Sequence, residues 1–154
     1  MKFAGMISLI LSTTALGFIL SDKSKKRISI CTQLIGFCDL LSMDLSYTVN
    51  PIHKIIAKTV NNDRYKNLDF LTQDCVKQKS VIVSPLSADE NEEIAQFLYS
   101  LGKSDIKSQL LLIETFREYI SHSLSLYREK YKKDSKLFVT FGFFGGVIVS
   151  LLLI

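Results

Sequence analysis

Two stretches of this chain do not fit inside an ordinary small globular core. Phe3 to Leu20 is 18 residues without a charge, and so is Leu137 to Ile154. At about 1.5 Å per residue each makes roughly 27 Å of helix, close to the ~30 Å hydrocarbon layer of a bilayer. The second stretch holds Phe138, Phe141, Phe143, Phe144 and the run Leu151 to Ile154, with no polar face. A helix that is apolar all round has lipid as its natural solvent when the rest of the chain is too small to enclose it. The first stretch follows Lys2, as a signal peptide would. Its apolar run continues through Phe18, Ile19 and Leu20, past the small residues Ala15 and Gly17. That exceeds the roughly 7–15 residues of a cleaved signal core, so a retained span is expected. The chain then divides into a transmembrane helix at 1–21, a polar domain at 22–136 and a second transmembrane helix at 137–154. This partition accounts for a mean hydropathy of +0.23 in a chain whose middle is charged.

Charge placement orients the arrangement. Asp22, Lys23, Lys25, Lys26 and Arg27 follow the first stretch, and Arg128, Glu129, Lys130, Lys132, Lys133, Asp134 and Lys136 precede the second; each group is net +3. The body from Ile28 to Tyr127 is net −3. Both basic groups lie on the domain's side of the apolar stretches. The positive-inside rule therefore expects a two-pass protein of the cell membrane with the domain in the cytoplasm and both termini outside. Anionic lipid headgroups would favour the same collars. Nucleic acid is not expected as a partner, because the body is acidic and no basic, aromatic-interleaved motif occurs.

The fold class expected is all-α, a cytoplasmic helical bundle between two terminal transmembrane helices. Residues 21–50 read as one helix, with Ile28, Cys31, Ile35, Cys38 and Leu45 on one stripe and Ile30, Leu34, Phe37 and Leu41 beside it. Asn50 caps and Pro51 opens a short helix that buries Ile52, Ile55, Ile56 and Val60. After the turn residues Asn61, Asn62 and Asp63, the spacing of Leu68, Leu71 and Cys75 predicts a helix over 65–76. Residues 77–85 read as an extended connector. Ser87 and Glu90 form a capping box for a helix burying Ile94, Phe97, Leu98 and Leu101, which Gly102 ends. Ser104 caps the last helix, with Asp105 in its first turn. Its seam is Ile106, Ile113, Phe116, Ile120, Leu124, Tyr127 and Tyr131. The first and last helices are expected to pack antiparallel.

Chemistry-bearing patterns are sparse. His53 and His122 have no ligand partners at metal spacing, and no phosphate-cradling loop occurs. Asp89, Glu90, Glu92 and Glu93 fall in the first turns of a helix, where acids complement the dipole, and read as a solvated face. Cys31, Cys38 and Cys75 are an odd set; Cys31 and Cys38 lie about 10.5 Å apart along one helix, too far to bridge. They read as buried apolar residues. No catalytic residue, cofactor, metal or small-molecule substrate is expected. The sharper pattern is Gly142 and Gly146 at GxxxG spacing with Gly145 beside them, which lets helix backbones approach closely in lipid.

Leu101-Gly102-Lys103-Ser104-Asp105 followed by Gln109 resembles the Leu-Gly-x-Ser-Asp…Gln signature of the stage III sporulation protein AB family. Phe141-Gly142-Phe143-Phe144-Gly145-Gly146, Thr13-Thr14-Ala15-Leu16-Gly17-Phe18 and Leu45-Ser46-Tyr47 are similar to family segments as well. The resemblance spans the chain, strongest at 87–154. Residues 61–86 depart most: the chain is shorter there and has no Trp. The resemblance implies a subunit of the complex linking mother cell and forespore, similar to the inner-membrane platforms of type II secretion and type IV pilus machines. It implies a non-enzymatic role coupling a cytoplasmic ATPase, stage III sporulation protein AA, to other channel-complex proteins. It points to Gly102, Asp105 and Gln109 as signature residues. The bulk features alone fit equally a membrane-anchored adaptor or regulator unrelated to secretion.

Overall fold

The structure, a computed structural model, describes residues 2–47, 51–72 and 74–153, with the side chains of 22–47, 51–72 and 74–134. Every element is helical: α1 (Lys2–Tyr47), α2 (Ile52–Val60), a 3-10 turn (Asp63–Tyr65), α3 (Asp74–Lys77), α4 (Ala88–Ser100) and α5 (Ile106–Leu153). No strand occurs among the described residues. The chain forms two compact units, Met1–Lys25 with Leu126–Ile154, and Lys26–Ser125. The expected membrane helices at 1–21 and 137–154 fall on residues whose side chains lie outside the described set. Among the described residues, Asp22–Tyr47 is the one helical segment long and apolar enough to cross a membrane by length and composition. Its apolar residues have another use, because they supply much of the core of Lys26–Ser125.

That core is built on α1, α4 and α5. Ile30, Cys31, Leu34, Phe37, Cys38, Leu41 and Leu45 of α1 are buried, with Ile94, Phe97 and Leu98 of α4 and Ile113, Phe116, Ile120 and Leu124 of α5. Burying side chains of this size contributes about 1.5–3 kcal/mol each before conformational entropy is charged against it. Phe97 and Phe116 stack with ring centroids 3.9 Å apart. Within Lys26–Ser125, α1 and α5 meet across an ion pair. Asp39 of α1 pairs with Arg117 of α5, and Glu114, one turn before Arg117, lies beside that guanidinium. Arg117 Nε donates to Asp39 Oδ1 at 2.8 Å across this pair. α3 packs on α4, and α2 on the 3-10 turn.

Several sequence expectations change. Ile106 is 47% exposed, and Val60 is 55% exposed. In α2, Thr59 takes the buried place expected of Val60; its hydroxyl donates to Ile55 O at 2.9 Å, so the polar atom is satisfied inside the fold. Pro51 stands at the N-cap with ψ 136, outside the helix rather than in its first turn. The Asn50 cap lies outside the described residues.

The largest difference is at 65–76, where only α3 is α-helical. The backbone N–H of Asn67 donates to Gln33 Oε1 at 3.0 Å, and its side chain donates to Ser29 Oγ at 2.8 Å. Tyr65 OH donates to Gly36 O at 3.3 Å. Side chains and a carbonyl of α1 thus pin Tyr65 and Asn67, the chain turns at Tyr65–Leu68 and Leu68–Leu71, and Leu68, Leu71 and Cys75 reach the core from successive turns. Residues 78–86 form the expected extended connector: Val81 and Val83 face out, Ile82 and Leu86 face in. Arg27 Nε holds its end by donating to Pro85 O at 2.6 Å.

Candidate functional site

The three signature residues meet in the turn between α4 and α5. Gly102 has φ +78, the left-handed conformation that a helix stop requires and that side chains resist. A Cβ there would also come within 3.2 Å of Ile52 Cδ1, so α2 closes over the turn. Asp105 caps α5. Its Oδ2 accepts from Ser108 N at 3.3 Å and its Oδ1 from Ser108 Oγ at 2.6 Å. These bonds hold the Asp105 carboxyl below the usual carboxylate range, Ser108's hydroxyl being the larger cause. Ser104, expected as the cap, instead accepts from Gln109 Nε2 at 2.7 Å.

Gln109 is the residue whose role the spacing alone does not reveal. It is 2% exposed. Its Oε1 accepts from Gly102 N at 3.0 Å, while its Nε2 donates to Ser100 O at 3.3 Å and to Ser104 Oγ. One side-chain amide therefore ties the last residue of α4, the glycine stop and the serine ahead of the cap to the first turns of α5. Only an amide carries a donor and an acceptor on one planar group at this length. The arrangement joins the end of α4 to the start of α5.

Elsewhere the polar groups are structural. Glu90 is the exception to the expected solvated acidic face: it is 7% exposed and completes the Ser87 capping box, accepting from Ser87 N at 2.9 Å. Asp89, Glu92 and Glu93 are exposed. His53 and His122 are exposed, and no group of metal-ligating side chains occurs among the described residues. Cys31, Cys38 and Cys75 are buried free thiols. Burial pushes Cys31 and Cys38 up to about 12, where neither is a nucleophile near neutral pH. A half-open cavity of about 310 Å³ lies along α1 between Ser29, Thr32, Gln33 and Gly36 and the Arg64–Tyr65 turn. Gly142, Gly145 and Gly146 fall on residues whose side-chain environment lies outside the described set.

A sequence model of the stage III sporulation protein AB family matches residues 2–80 and 56–154. The two matches share 56–80, within and beside the stretch that departs most from the family pattern, and together they span the described chain. No curated protein and no solved structure gave a match. A match of this extent, carried through the Gly102–Gln109 turn, establishes that the chain belongs to the stage III sporulation protein AB family.

Proposed function

We propose that this chain is a non-enzymatic membrane platform subunit of the complex linking mother cell and forespore, coupling a cytoplasmic ATPase to membrane components. The observation that carries the reading is the family match over both halves of the chain, which implies a part in stage III of sporulation. The helical unit Lys26–Ser125 supports it from the side of the fold. Its interior is filled with aliphatic and aromatic side chains, and the buried Glu90 and Gln109 serve a cap and a turn. Such a unit is suited to holding partners rather than turning over a substrate. The uncharged stretches 3–20 and 137–154 would anchor it, with Gly142, Gly145 and Gly146 at a helix contact in lipid. Gly102, Asp105 and Gln109 would set the angle at which α4 and α5 are presented.

The expected partners are the stage III sporulation protein AA ATPase and the other channel-complex proteins. The test is purification of the full chain in mild detergent from sporulating cells. The ATPase is expected to accompany it, and Gln109→Leu is expected to weaken that association together with stability. Recovery of the chain without the ATPase or any channel protein would favour an adaptor unrelated to secretion.

A further inference from the structure

Six exposed cations border the two uncharged stretches. Met1–Lys25 and Leu126–Ile154 form one compact unit, and within it Lys23, Lys25, Arg128, Lys130, Lys132 and Lys133 are all exposed. Asp22, Glu129 and Asp134 lie among them, so these nine side chains sum to +3. The ion pairs recorded among the described residues use Lys79 and Arg117, and none of these six cations.

Their height along the helices is specific. At ~1.5 Å per residue, Lys23 stands about 4.5 Å from Leu20, Lys133 about 6 Å from Leu137, and Lys130 about 10 Å from it. A headgroup layer adds roughly 5–7 Å to each side of the hydrocarbon core, and lysine stems extend to place the ammonium at that level. Their spread around the helices is equally telling. At about 100° per residue, Lys23 and Lys25 point to opposite sides of α1, and the four cations of α5 cover more than half its circumference. A protein partner would be met by a one-sided patch. Cations spread around the helices, the nearest of them at headgroup level, match a ligand that surrounds the helices.

We propose that these six residues form a collar that selects anionic phospholipid headgroups over zwitterionic ones. The proposal rests on the membrane-spanning reading of 3–20 and 137–154. The phosphate and the unbalanced negative charge of a lipid such as phosphatidylglycerol are the groups recognised. Each ammonium contributes through Coulomb attraction that salt screens within a Debye length.

The test uses the full chain reconstituted in phosphatidylcholine vesicles, with spin-labelled phosphatidylglycerol or spin-labelled phosphatidylcholine as the probe. The fraction of each probe immobilised at the protein surface is read by electron paramagnetic resonance. The expected result is severalfold preference for the phosphatidylglycerol probe at low salt, falling toward parity in 1 M NaCl. The quintuple variant Lys23→Gln, Lys25→Gln, Lys130→Gln, Lys132→Gln, Lys133→Gln is expected to lose the preference while retaining its helical circular dichroism and its immobilised phosphatidylcholine. Equal preference in the variant, or no preference in the wild-type chain, overturns the collar. A preference removed by millimolar inorganic phosphate at constant ionic strength would also overturn it, since that marks a free-anion site. If neither probe is immobilised, the membrane-spanning reading itself fails.

Discussion

At Gly102 two independent constraints exclude a side chain: the backbone sits at φ +78, and a Cβ would meet Ile52 Cδ1 at 3.2 Å. Placing Ala in the left-handed region costs about 1–2 kcal/mol before the contact with Ile52 is counted. Gly102→Ala is therefore expected to lower the thermal midpoint of the full chain in detergent by roughly 5 °C or more, followed by circular dichroism. An unchanged midpoint would remove the turn from the list of structural determinants. Gln109→Leu keeps the volume and deletes three hydrogen bonds, leaving Ser100 O and Ser104 Oγ without their amide partner. A loss of about 1–3 kcal/mol is expected from the same measurement. Asp105 adds a pH signature. Its carboxyl is held below its ordinary 3.8 in the fold by Ser108. The stability it adds is complete above the ordinary value and is lost as pH falls through the lowered one. Asp105→Asn keeps an oxygen to accept from Ser108 but does not titrate. Urea midpoints of the two chains between pH 6 and pH 2 should show a shallower acid loss in the variant; parallel curves would contradict this assignment.

Among the helices, α1 shows how far a periodic pattern can be trusted. Of the expected stripe Ile28, Cys31, Ile35, Cys38 and Leu45, Ile28 and Ile35 are only half-buried, whereas the stripe beside it, Ile30, Leu34, Phe37 and Leu41, is buried throughout. Gly36 interrupts that helix at about 1 kcal/mol relative to Ala. A Cβ there would lie 3.6 and 3.7 Å from Tyr65 Cε1 and OH, ordinary contact distances, and the Tyr65 bond is to the Gly36 carbonyl, which a substitution retains. Gly36→Ala is expected to raise the thermal midpoint by a few degrees, corresponding to a gain of about 0.5–1 kcal/mol. The same exchange thus has opposite signs at Gly36 and Gly102, and a fall at Gly36 would mean that close packing on α1 is needed there. At α5 the cap falls to Asp105 because Gln109 takes the expected Ser104, whereas two helix ends were legible in the sequence because they are local, Ser87 with Glu90 and Gly102 as a stop. The helix expected over 65–76 was not, because Asn67 is claimed by Ser29 and Gln33, more than thirty residues away. Gln109 escaped for a related reason. Its partners are backbone and hydroxyl groups of a turn whose shape no spacing rule encodes.

At the scale of the molecule, charge asymmetry carries the proposed orientation. The two basic groups, each net +3, both lie on the domain side of the uncharged stretches, and the acidic body between them carries net −3. Translocating either collar would move several lysines across the hydrocarbon layer, so the collars should stay on the cytoplasmic side together with everything between them. The connector 78–86 offers a place to test this without damaging the core, since Val81 is 92% exposed and Val83 85% exposed. A reporter active only outside the cytoplasm is expected to be active when fused after Ile154 and inactive when inserted at Ser80. A reporter active only in the cytoplasm should give the reverse pair. Ser80 is half-buried and its hydroxyl bonds only to Gln78 O among the described residues, so an insertion there disturbs little. Activity of the external reporter at Ser80 would invert the orientation. Inactivity of the external reporter at both positions would leave the second stretch on the cytoplasmic side, and the proposed anchoring would then rest on the first stretch alone.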